Sequence, residues 1–221
     1  MKPTAYSRPV VANLGAFTLI ELMVVIAVVA VLASLVMLLI PQMLNRADRA
    51  ASLSNLRQIG AGVLLYAGEN NNELPRRVTT GDKWPKLVNE YLGNPKVYAA
   101  PGDMENYISR EADPLSNDRN ETSYIMNGYN DIGARDDETI SVRINSIERP
   151  SQIILLGTPN AGSRHFYMDM LEGGGNHNDV LNLTAYGDGS NYLFGDASAR
   201  FLTAASYNHR MWLVNQDFEI P

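Results

Sequence analysis

Ala16-Phe17-Thr18-Leu19-Ile20-Glu21-Leu22-Met23-Val24-Val25-Ile26 opens the longest apolar run of the chain. The 19 residues from Leu22 to Ile40 contain one polar side chain, Ser34. That length and composition predict a membrane-spanning helix over Phe17–Ile40. Between Phe17 and Asn45 the only charge is Glu21. A carboxylate at such a depth costs about 2.5–3.5 kcal/mol on insertion scales, so it needs a partner or a task. One task is local. Thr18-x-x-Glu21 has the form of a capping box, in which the carboxylate satisfies orphan amides at a helix start.

Working outward, Lys2 and Arg8 precede the run and no acid does. The positive-inside rule then places the N-terminus in the cytoplasm and everything after Ile40 on the other side, as a single-pass protein. A cleaved secretory signal fits poorly, because its apolar region spans only about 7–15 residues. Beyond Pro41, Leu44, Ala47, Ala51, Leu56, Ile59, Val63 and Tyr66 or Ala67 recur at helical spacing among Arg46, Asp48, Arg49, Asn55 and Arg57. This predicts an amphipathic continuation over residues 41–72, weakened at Gly60 and Gly62 and ended by Gly68 and Asn70-Asn71-Asn72. Residues 73–221 then form a globular head.

In the head, Trp84, Leu87, Val88, Tyr91 and Leu92 predict a short helix with Trp84 as a core anchor. Ser123–Asn127 and Gln152–Gly157 predict short strands. Tyr192–Leu202 predicts a hairpin turning near Gly195-Asp196. Asn106–Asn120, Asp131–Glu138 and Gly173–Asp188 read as exposed loops. The expected fold class is α+β, with the long helix packed on a small antiparallel sheet.

The chain of 221 residues carries a net charge of −6 and has no cysteine. The acidic balance argues against nucleic acid as a partner, though Arg76 and Arg77 could make a local basic patch. Disulfides and cysteine-based zinc sites are excluded. His165, His177 and His209 match no metal spacing, Ser163 and Ser190 lack a nucleophile elbow, and Gly173-Gly174-Gly175 lacks the Lys of a phosphate loop. No enzymatic activity and no cofactor are expected. Asp179, Asp188, Asn191 and Asp196 offer oxygen ligands for calcium, but their spacing matches no calcium loop and all are ordinary turn residues.

The stretch AFTLIELMVVIAVVAVLAS resembles the N-terminal processing and methylation motif of type IV pilins and type II secretion pseudopilins. That resemblance implies cleavage by a prepilin peptidase between Ala16 and Phe17, a leader of residues 1–16, and N-methylation of Phe17. It implies that Glu21 pairs with the new amine of a neighbouring subunit. Such a pair would fix register rather than supply much net energy. A capping carboxylate keeps acceptor capacity, so both tasks of Glu21 are compatible. The chain departs from the family pattern at Ala16, where Gly is usual. Gly15 lies one position earlier, and a cut after Ala16 keeps Glu21 at the family spacing.

Ser52–Gly60 and Leu65–Pro75 resemble the helix end of a long pseudopilin-like subfamily of planctomycete- and verrucomicrobium-type bacteria, extending the likeness to about residue 75. Two later marks of that subfamily are altered. Its Cys-Pro is Ala100-Pro101 here, and its His and the Gly of its Asp-Gly hairpin are Tyr186 and Ala197, beside Asp196. No role tied to that His carries over. The resemblance implies a pilin-like fold and a structural subunit of a pilus-like filament or pseudopilus. Its partners would be like subunits, the peptidase and an inner-membrane assembly platform, with the head periplasmic or on a filament. Alternatives are a tip subunit binding a substrate or surface, and a monomeric membrane-anchored domain.

Overall fold

The computed structural model describes residues 17–101, 122–129, 132–133, 139–160, 163, 165–170 and 177–214. The expected loop at Asn106–Asn120 and most of Asp131–Glu138 lie outside these residues, as do Ala16 and the leader. The chain divides into two compact units, Met1–Met43 and Leu44–Pro221. Helix α1, Leu19–Glu69, contributes to both and runs unbroken through Pro41.

In the first unit every described side chain from Phe17 to Met43 is exposed. The helix is long and apolar enough to cross a membrane. Its one polar residue inside the run, Ser34, donates its hydroxyl to the Val31 carbonyl at 2.7 Å.

The second unit is α+β. Its five-stranded sheet has the order β3-β1-β2-β4-β5, formed by β1 Ile125–Asn127, β2 Ile154–Gly157, β3 Tyr167–Met168, β4 Gly189–Phe194 and β5 Ala199–Thr203. The sheet is mixed, not purely antiparallel as the sequence suggested: β3 lies parallel to β1, with Met126 opposite Tyr167. The other pairs are antiparallel, with a register shift between Ile154 and Leu156. β1, β2 and β4 are buried along their whole length, the polar Asn127, Ser190 and Asn191 included. The segment expected as a loop before Asp188 also contains one helical turn, His177–Val180, and an isolated bridge of Leu181 to Pro159.

The face that α1 buries differs from the expected stripe. Leu44, Ala47 and Ala51 are exposed, whereas Ser52, Leu56, Ile59, Val63 and Ala67 are buried. The five-residue step from Ala51 to Leu56 turns the stripe by about 140° around the helix, so its two halves cannot share a face. Polar ties fix the true face. Tyr124 donates its hydroxyl to Ser52 Oγ at 3.2 Å, Asn191 Nδ2 donates to the Arg49 carbonyl at 2.9 Å, and Asn55 Nδ2 to the Ala99 carbonyl at 3.0 Å. Burial holds the Tyr124 phenol above its ordinary pKa, so it acts there as a neutral donor.

Gly60 and Gly62, expected to weaken the helix, are where it is approached most closely. A Cβ at Gly60 would lie 2.8 Å from Leu193 Cδ1, and one at Gly62 would lie 2.8 Å from both Leu92 Cγ and Val88 Cγ1. Gly68 is inside the helix; the stop comes from Asn71 and Asn72, whose φ values of 55° and 62° are left-handed. Helix α2, Trp84–Leu92, forms as expected, with Pro85 in its first turn and Gly93 as a left-handed cap. Trp84 is fully buried. Its ring meets Tyr98 edge-on at 5.6 Å, and its Nε1 donates to the Phe166 carbonyl at 3.2 Å.

Candidate functional site

The residues singled out at the helix start do come together. The Thr18 amide and hydroxyl both donate to Glu21 Oε2, at 2.9 and 2.8 Å, and the Glu21 amide donates back to Thr18 Oγ1 at 3.3 Å. This is a complete capping box. It forms because the ring of bonds needs only residues three apart, and because the first turn of any helix has amides without partners. Every described bond to the carboxylate ends on Oε2; among the described residues Oε1 accepts none. Phe17, one residue before Thr18, is 81% exposed. Glu21 is thus oriented by its own turn and still has an oxygen to offer.

Around it lies an unusual surface. Among the described residues, every exposed large hydrophobic side chain falls between Phe17 and Leu65. All but two of them, Leu64 and Leu65, precede Asn45. Isolated chains in water do not keep such a surface bare; contiguous apolar patches beyond a few hundred Å² mark contact with lipid or protein.

The other candidates are dispersed. Asp188 and Asp196 stand at opposite ends of β4, roughly 20 Å apart at strand rise. Asn191 is buried between them, with its Nδ2 committed to Arg49. Asp179 sits on the separate helical turn at His177–Val180. The four do not converge on one cation, and among the described residues no group of three acids or histidines does. Asp196 is a turn residue, as expected from its place in the hairpin. Its Oδ1 accepts from the Ser198 amide at 2.9 Å and the Ser198 hydroxyl at 2.6 Å. Partial desolvation opposes its ionised form, but these two donors outweigh it and hold the carboxyl below its ordinary pKa. Beside it, Ala197 takes the left-handed position of the turn, φ 59°.

The basic patch at Arg76 and Arg77 is not there. Arg76 pairs with Glu73 at 3.0 Å, and Arg77 Nη2 lies 3.0 Å from both carboxylate oxygens of Asp169. The second pair is mostly buried, with side chains 13% and 11% exposed. Tyr186 is buried beside the start of β4 and donates its amide to the Gly189 carbonyl at 3.0 Å. His165 and His209 are exposed.

No protein-family model, curated protein or solved structure matches this chain.

Proposed function

We propose that the chain is a structural subunit of a type IV pilus-like filament or a type II secretion pseudopilus, with a pilin-like fold. In this reading a prepilin peptidase cuts between Ala16 and Phe17 at the bacterial inner membrane, and Phe17 is N-methylated. The subunit waits in the bilayer with its head on the far side. Assembly exchanges the lipid around the Phe17–Ile40 segment for the helices of like subunits. The observation that carries the reading is that, among the described residues, the exposed large apolar side chains lie on Phe17 and along α1, whose start carries a single carboxylate in a capping box.

The chemistry follows from that arrangement. Helices in a bilayer associate by close packing and by polar contacts, since lipid tails are as apolar as leucine. A polar contact is strongest where water is absent, so one ammonium placed against Glu21 Oε1 would fix the axial register of two subunits. Thr18 contributes by holding Oε2, which leaves Oε1 directed and accessible.

The test is the N-terminal mass of the chain made alongside its own peptidase. A start at methylated Phe17 is expected. A chain that keeps Met1 under those conditions would refute processing and favour a static membrane-anchored domain.

A further inference from the structure

The face of the sheet turned away from α1 holds a cleft. Side chains alternate across a strand, so β4 and β5 each present two sets. Asn191, Leu193 and Phe201 belong to the α1 side: Asn191 bonds the Arg49 carbonyl, Phe201 lies under the Arg49 guanidinium, and a Cβ at Gly60 would meet Leu193. Phe194, Arg200 and Leu202 belong to the other side and line a cleft of about 780 Å³. Ser151 and Gln152 border it ahead of β2, and residues 205–209 with Met211 border it after β5. Small-molecule sites have volumes in this range, roughly 300–1,000 Å³.

The charge of the cleft is one-sided. Arg200 and His209 line it, and no carboxylate is among the described lining residues. Arg200 is exposed and has no ion pair among the described residues; Asp196, at the hairpin turn, is near enough to be shifted by its charge but makes no ion pair with it. The guanidinium is held from two directions. Its carbon stands 3.5 Å over the Phe194 ring, and its Nη2 donates to the Ser151 carbonyl. A guanidinium carries five N–H donors, so others remain for a ligand, and a fork held in advance loses less freedom on binding. The walls add neutral polar groups. Gln152 Oε1 is buried and accepts no hydrogen bond among the described residues, a cost that a donor from a ligand would remove. A flat apolar surface lies beside them: Tyr207 stacks on Tyr192, with ring centroids 5.6 Å apart and planes 18° from parallel.

We infer that this cleft binds an acidic sugar, a hydroxylated ring that carries a carboxylate. The carboxylate pairs with the Arg200 fork, whose planar geometry matches two carboxylate oxygens. The ring hydroxyls both donate and accept, as the Ser151, Gln152, Ser206 and Asn208 side chains on the walls require. The C–H face of the ring packs on Tyr207 and Leu202. An acidic peptide would offer Arg200 the same carboxylate, but each of its residues also brings a backbone donor and acceptor that must be matched in an ordered row. The walls supply scattered hydroxyls and amides instead, which suit polar groups spaced around a ring. The cleft lies on the opposite side of the sheet from α1, so covering that helix leaves it open. The inference goes beyond the filament reading and does not depend on it.

The test is calorimetric titration of the full chain in detergent with trigalacturonate at neutral pH and low salt. Binding with a Kd of about 0.1–1 mM is expected. The neutral methyl ester of the same sugar should bind roughly tenfold more weakly, because it cannot form the charge-assisted pair. Arg200→Gln should weaken binding by a similar factor. Arg200 also stacks on Phe194, so a second variant keeps it in place: Ala205→Trp fills the cleft from an exposed position and should abolish binding at unchanged Tm. No heat of binding at millimolar trigalacturonate would overturn the inference. An ester that binds as tightly as the acid, or binding that survives Ala205→Trp, would do the same. An oligoglutamate peptide that binds as tightly as trigalacturonate would overturn the assignment to a sugar and make the cleft an acidic-peptide site. None of these outcomes touches the filament reading, which N-terminal mass decides.

Discussion

Glu21→Gln separates the cap that the Glu21 carboxylate makes from the intersubunit pair proposed for it. Glutamine keeps the side-chain length and an oxygen for the Thr18 amide and hydroxyl, both now within 2.9 Å of Oε2, and it is an accepted partner in a capping box. The helix start should therefore lose little. The charge is removed, and with it any ion pair to a neighbouring amine. Breaking a pair held out of water costs about 3–5 kcal/mol, which corresponds to a loss of roughly 100-fold or more in incorporation. Thr18→Ala is the converse. It deletes two of the three bonds of the box and leaves the Thr18 amide bond and the charge in place. Loss of a cap of this kind costs about 1 kcal/mol, or roughly fivefold. The assay is the fraction of mature chain that sediments as filaments, with N-terminal mass confirming equal processing. Glu21→Gln should abolish sedimentation and Thr18→Ala should reduce it only mildly. Equal filament yield from Glu21→Gln and wild type would refute the intersubunit role and leave Glu21 as a cap alone.

Other expected outcomes concern the second unit, which as residues 44–221 should be soluble and monomeric; filaments from that fragment would show that the apolar segment is not the assembly element. In it, Gly68→Ala meets nothing within 4 Å and should gain about 1 kcal/mol from helix propensity, raising Tm by roughly 2–4 °C. Gly62→Ala gains the same propensity but drives a Cβ to 2.8 Å from Leu92 and Val88, so overpacking of about 1–3 kcal/mol should lower Tm instead. Ala197→Gly relieves a left-handed residue and should stabilise by about 1 kcal/mol in urea unfolding; a loss would mean the hairpin turn is not as described. Asp169→Ala leaves the Arg77 guanidinium mostly buried without its partner and should cost about 3 kcal/mol, visible as a lower urea midpoint at unchanged m.

What could be read from the sequence was what is local. The capping box closes over three residues, the Trp84–Leu92 helix carries its own apolar period and flanking Pro and Gly, and the hairpin is set by its turn. Features decided by distant partners could not be read. Arg77 looks basic until Asp169, 92 positions away, is placed on it. β3 is two residues long and exists because β1 offers it a parallel edge. The buried face of α1 has a serine in it, and what turns Ser52 inward is the Tyr124 hydroxyl, 72 positions away. Gly60 and Gly62 read as helix weakeners because their benefit belongs to Leu193, Val88 and Leu92.

The distribution of exposed surface bears on how such a chain could associate at all. If association relied on the sheet or on α2, large apolar side chains would be expected there, since anchors of that kind dominate interface energetics. Among the described residues they occur instead at Phe17 and along α1. Outside that helix the described surface is polar or charged, and exposed ion pairs such as Lys86–Asp82 contribute little affinity on their own. In the proposed assembly, affinity would therefore come from the helix. Dense packing of many copies of one apolar helix would by itself tolerate slippage, because leucine and valine contacts are non-directional. A fixed electrostatic point at Glu21 of each subunit would remove that freedom. High salt should leave such a Glu21 pair, shielded from water, almost untouched; filaments that dissociate on adding salt would count against it.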